Sequence, residues 1–78
     1  MKELKNLKLV LKDCGREVEM RVPYVRDMRA LSTIENAEEK EIALLANLTG
    51  ITQEELNDMT LRDYAILQKG LQSFLAVS

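Results

Sequence analysis

Three cap signals divide the second half of the chain into helices and leave little freedom in where each one begins. Asn36 stands three residues before Glu39, Thr52 before Glu55 and Thr60 before Asp63. In each pair the first side chain can accept from a free amide of the opening turn while the acidic side chain reaches back, the reciprocal arrangement of a capping box. Glu38, Glu39 and Glu41 add negative charge at the positive end of the first of these helices. Gly50 follows Thr49 as the left-handed residue that closes it, and Ile51 is placed to fold back on it. The pattern predicts helices over about 37–49, 53–58 and 61–76, with Ile51 stapled to Leu56 and Met59 to Tyr64 across the second and third caps.

At about 100° per residue, Ile42, Leu44, Leu45 and Leu48 fill a wide arc of the first helix, which marks it as central. On the last helix Leu61, Tyr64, Leu67, Leu71, Phe74 and Leu75 share one side and read as core. Ile66, Gly70 and Val77 fall on a different side. Glycine costs about 1 kcal/mol relative to alanine within a helix, so Gly70 marks either a close backbone approach or a tolerated substitution. Ile66, Gly70 and Val77 are therefore the candidate surface for a partner or a second copy.

The first part of the chain has a different period. Leu7, Leu9 and Leu11 alternate with Lys8, Val10 and Lys12, and Val18, Met20 and Val22 with Glu17, Glu19 and Arg21. Two strands are predicted, over about 4–12 and 16–22, joined through Asp13-Cys14-Gly15-Arg16. A turn centred on Cys14-Gly15 sets Lys12 opposite Glu17, Leu11 opposite Val18, Leu9 opposite Met20 and Leu7 opposite Val22, which collects one apolar face. It also sets Asp13 opposite Arg16 and, discordantly, Lys8 opposite Arg21. Gly15 supplies the positive φ of a tight hairpin, and a three-residue loop with a bulge satisfies the same residues. The hairpin's free edge is a second candidate for association. Pro23 ends the second strand, and Val25, Met28 and Leu31 recur at helical spacing, so a short helix is predicted over about 25–34. The fold class is α+β: a hairpin followed by three to four helices in one domain over residues 1–78.

With 46% apolar and 31% charged residues, the chain has the composition of a globular domain. At 78 residues it lies near the size at which chains lean on a disulfide, a metal or a partner. One cysteine and no histidine make neither an internal disulfide, nor a zinc site, nor a Cys–His nucleophile. Cys14 sits at the hairpin tip, with Arg16 a weak source of the positive charge that thiol reactivity requires. The carboxylates gather at helix starts, and Gly15, Gly50 and Gly70 are too far apart for a phosphate loop. A non-catalytic binding module without cofactor is what remains.

No apolar stretch approaches the length of a membrane span, and the N-terminal MKELKNLKLVLK is charged and alternating, so a cytosolic protein is expected. Residues 1–34 carry eight Lys/Arg against five Asp/Glu, and residues 35–78 three against eight, giving +3 and −5. Such a split can steer association between copies or with a partner of mixed charge, or simply solvate two faces. The helix–turn–helix spacing of residues 37–76 permits an alternative reading as a small DNA-binding regulator. Its reading helix, however, would offer Gln53, Glu54, Glu55, Asn57 and Asp58 to the phosphates, with no lysine or arginine.

From Ala43 to Leu75 the sequence ALLANLTGITQEELNDMTLRDYAILQKGLQSFL resembles the C-terminal half of the small tail assembly chaperones of long-tailed phages, in the Mu-like class. The likeness lies in the leucine-rich helix ending Leu48-Thr49-Gly50, the Thr52 to Leu56 cap, and Leu61-Arg62-Asp63-Tyr64 opening a last helix that ends in Phe74-Leu75. Residues 1–35 are similar more loosely, through a hairpin and a Pro-containing connection. They depart at Tyr24-Val25, where a threonine cap is expected. The resemblance implies a protein of the bacterial host cytoplasm, absent from the mature virion, that binds the tape-measure protein and keeps it soluble. It also implies a longer frameshifted product of the same gene, and Ser73-Phe74-Leu75 is compatible with a T-TTT-TTG slippery heptamer. A homo-oligomer with a structural role is a third reading.

Overall fold

The computed structural model describes residues 5–75. Strands β1 (Leu7–Leu11) and β2 (Arg16–Met20) form an antiparallel hairpin, followed by helices α1 (Val25–Ala30), α2 (Ala37–Thr49), α3 (Gln53–Asn57) and α4 (Leu61–Leu75). The α+β class and the order of elements are those expected. Val77 lies outside the described residues, as do the proposed first residue of β1 and last residue of α4.

Alternation in the hairpin turns Leu11, Val18 and Met20 inward, where they meet Leu45 and Leu48 of α2, Ile51, Leu56 of α3, and Leu67 and Leu71 of α4. Leu11, Met20, Leu45 and Leu67 are wholly buried. Each such side chain contributes about 1.5–3 kcal/mol by leaving water. The hairpin lies against α4 through β1 and against α2 through β2.

The strand register differs from the expected one by two residues: Leu11 faces Arg16, Leu9 faces Val18 and Leu7 faces Met20. Lys12 to Gly15 form a four-residue loop, closed by the Gly15 amide donating to the Leu11 carbonyl at 2.7 Å, with Gly15 at φ 70°. The reason is tertiary. The Asp13 amide donates to the Asp63 carboxylate at 3.0 Å and the Thr60 hydroxyl to the Asp13 carboxylate at 2.6 Å, so Asp13 serves the start of α4 rather than the ladder. An even shift keeps every side chain on its face, so the apolar face survives. It also sets Lys8 opposite Glu19 and removes the discordant Lys8–Arg21 pair. Strand β2 stops at Met20, short of the expected residue 22, because the Arg21 amide turns to the Leu48 carbonyl at the end of α2, 2.8 Å away.

The predicted cap residues hold their helices. Asn36 accepts from the amides of Glu38 and Glu39, Thr52 from that of Glu55 and Thr60 from that of Asp63. Two of the acidic partners also tie the helices to the hairpin: Glu55 accepts from the Thr52 hydroxyl at 3.2 Å and from Arg16 at 2.7 Å, and Asp63 holds the hairpin loop. Gly50 closes α2 in the left-handed conformation at φ 78°, as its position predicts. Helix α1 ends at Ala30, short of the expected residue 34, since Ser32 and Ile34 donate to carbonyls only three residues back. Its missing threonine cap is offset by Asp27, which accepts from the Tyr24 amide at 2.8 Å and both guanidinium arms of Arg21 at 2.9 and 3.0 Å.

Candidate functional site

Two of the three residues proposed as a partner surface can be placed, and Gly70 does not face outward. It is buried beneath the hairpin; a Cβ there would lie 2.9 Å from Leu9 Cδ1 and 3.2 Å from Leu7 Cδ2. The close approach that Gly70 permits is thus made by the chain's own hairpin. Ile66 is half-buried and packs at the margin of the core.

Helix α4 is turned relative to the expected core stripe. Its buried residues are Asp63, Leu67, Gly70 and Leu71, whereas Leu61 and Leu75 are 85% and 61% exposed. At about 100° per residue the buried side is rotated by about 60° from the centre of the predicted apolar arc. The cause is Gly70, which offers no side chain and lets β1 sit on it, together with Asp63, which is buried because it satisfies the Asp13 amide. A hydropathy pattern counts both residues as outward.

That rotation opens a groove of about 500 Å³ between α2 and α4, lined by Ala37, Glu38, Glu41, Ile42, Leu61, Tyr64 and Gln68. Ala37, Ile42, Leu61 and the Tyr64 ring make it apolar. Its polar groups are organised around Glu41, which accepts from the Tyr64 hydroxyl at 2.8 Å and from Gln68 Nε2 at 2.7 Å. Burial, the bond to Glu41 and then the charges of Glu41 and Glu38 push the Tyr64 hydroxyl far above its ordinary pKa, so it stays a donor. The groove is an apolar trough with a negative rim. Sequence reasoning missed it; the available signal was Leu61, a large apolar residue directly after a helix cap.

A second cleft, at the hairpin tip, is lined by Cys14, Arg16, Glu55, Met59 and Thr60 among others. Two ion pairs occupy it or its border: Arg16 with Glu55 at 2.7 Å, and Asp13 with the neighbouring Arg62 at 3.3 Å. Cys14 is exposed and free. Among the described residues no group of three or more His, Cys, Asp and Glu side chains could hold a metal ion. No described helix is long and apolar enough to cross a membrane.

Residues 12–76, most of the chain, match the family described as phage tail assembly chaperone proteins, E, or 41 or 14. The chain belongs to the phage tail assembly chaperones. No curated protein and no solved structure matches it. The matched region begins inside the hairpin loop and takes in all four helices, so the groove of this tail assembly chaperone lies within the part that the family shares. The helix that a DNA-binding reading would use, α3, is five residues long, and its Glu55 is committed to Arg16. Helix α3 carries no basic residue to neutralise a phosphate, so nothing in this geometry favours the DNA-binding reading.

Proposed function

We propose that this tail assembly chaperone binds an amphipathic helical segment of the tape-measure protein in the groove between α2 and α4. Binding keeps that long partner soluble in the host cytoplasm until the tail tube encloses it. The observation that carries the reading is an apolar trough, rimmed by Glu38 and Glu41, in a member of a tail assembly chaperone family. A trough of this kind covers the apolar stripe of a helix, while its carboxylates favour a segment flanked by lysine or arginine. A longer frameshifted form of the chain belongs to the same proposal; gene codons for Phe74-Leu75 without a slippery run, or a closed −1 frame downstream, would remove it.

The test is co-expression of the chain with segments of the tape-measure protein, read as the soluble fraction and as affinity. Wild-type chain raises the soluble yield of at least one segment. Leu61→Ser weakens that segment's binding by about tenfold or more, as expected for losing one buried leucine contact. Soluble yield that is the same with and without the chain overturns the proposal.

A further inference from the structure

Helix α1 spends little of its apolar character on its own fold. Leu31 at its end is buried, but Val25 is 69% and Met28 61% exposed, beside Tyr24 at 45%. At about 100° per residue Met28, Val25, Arg29 and Arg26 share one side of the helix, while Asp27 points inward to Arg21. Neither Arg26 nor Arg29 forms an ion pair among the described residues; Arg26 lies over the Tyr24 ring, 5.1 Å from its centre. The outward side of α1 is therefore apolar and basic, and no α1 residue lines the groove of its own chain.

The groove between α2 and α4 is its complement, apolar and acidic. Arg26 and Arg29 stand three residues apart on a helix, as do Glu38 and Glu41. A six-residue helix is about 9 Å long, and the groove walls run from Ala37 to Ile42 and from Leu61 to Gln68, about 9 and 12 Å at the same rise per residue. The two patches match in length, character and sign.

We infer that in the free protein α1 of a second copy occupies this groove, so that self-association masks the surface which takes the tape-measure helix. The masking, though not the self-association, rests on the function proposed above. The contact joins two different patches, so it is heterologous, and copies can add in succession or close into a ring. It is small and charged, hence weak and salt-sensitive, and a longer amphipathic helix with more apolar area displaces it. The chaperone thus covers its own apolar groove until its client arrives.

The experiment is light scattering of the full chain alone, across concentration and salt. Wild-type chain at low salt rises above monomer mass with concentration and returns towards it in roughly 0.5 M salt. R26E/R29E, altered only on the outer side of α1, stays monomeric, and so does E38K/L61S, altered only in the groove. Mixing the two variants restores association, because one keeps a sound groove and the other a sound α1. A wild-type chain that is monomeric at low salt up to millimolar concentration, or association that survives R26E/R29E with the fold intact by circular dichroism, overturns the contact. A tape-measure segment should bind R26E/R29E more tightly than wild type at concentrations where wild type associates; equal affinity overturns the masking. Failure of both chains to bind any segment would instead refute the proposed function, with the self-association result unaffected.

Discussion

The seam between α4 and the hairpin and the short helix α1 are both needed to cover a small core, yet they are held by different physics. At the seam, Leu67 is wholly buried, Leu71 nearly so, and Gly70 lets Leu7 and Leu9 close over the helix. Apolar burial there leaves only the margins of Leu7 and Leu9 in water. Helix α1 is anchored by the buried Leu31 and by the Arg21–Asp27 pair, and it leaves Val25 and Met28 in water. Where area does the holding, both sides of the contact are consumed; where one ion pair does it, a surface remains free for another molecule.

The sharpest way to break this comparison is at the seam. Leu67→Ala should cost about 2–5 kcal/mol, read by urea unfolding, because the cavity it leaves is closed on every side. A loss under 1 kcal/mol would mean that the seam is looser than its burial implies. Gly70→Leu should cost about 1–3 kcal/mol by overpacking Leu7 and Leu9. Gly70→Ala should come out near neutral, since better helix propensity offsets the 2.9 Å approach to the movable end of Leu9.

At α1 the effect should be smaller and should depend on pH. Arg21's hydrogen bonds, then the Tyr24 amide, hold the Asp27 pKa at about 2, against an ordinary 3.8. A carboxylate with a lowered folded-state pKa stabilises the fold above its ordinary pKa and loses that contribution as pH falls through the folded value. Asp27→Asn should therefore cost on the order of 1 kcal/mol near neutral pH. The gap between variant and wild type should close between about pH 4 and pH 2, whereas that of Leu67→Ala should not. A gap independent of pH would show that Asp27 acts through packing. Smallest of all, Val25→Ser with Met28→Ser should change stability by under about 0.5 kcal/mol, as exposed positions do, while abolishing the self-association inferred above.

The same contrast explains what was legible in the residues. Local chemistry read well: Asn36, Thr52 and Thr60 cap their helices, Gly50 ends α2, and the alternation of residues 7–11 and 16–20 forms the hairpin. The errors lie where a distant group competes with a local rule. Asp13 leaves the predicted ladder for Thr60 and Asp63, which shifts the register by two. Glu55 keeps its bond to Thr52 but shares its carboxylate with Arg16, and Asp27, tied to Arg21, stands in for a cap that Tyr24 lacks. Leu61 and Leu75 read as core because hydropathy counts what a side chain is made of, not what lies across from it.

The sequence by itself determined the class of fold, the helix starts and the family, because caps, turn glycines and hydrophobic period act over three or four residues. Which side of α4 faces inward, and hence where the apolar groove lies, was decided only by tertiary structure. Gly70 reads as a weak helix residue until Leu7 and Leu9 are placed over it, and Asp63 reads as a solvent carboxylate until the Asp13 amide is brought to it. Both depend on partners about 50 residues or more away along the chain, and loop closure over such distances leaves no mark on the local pattern.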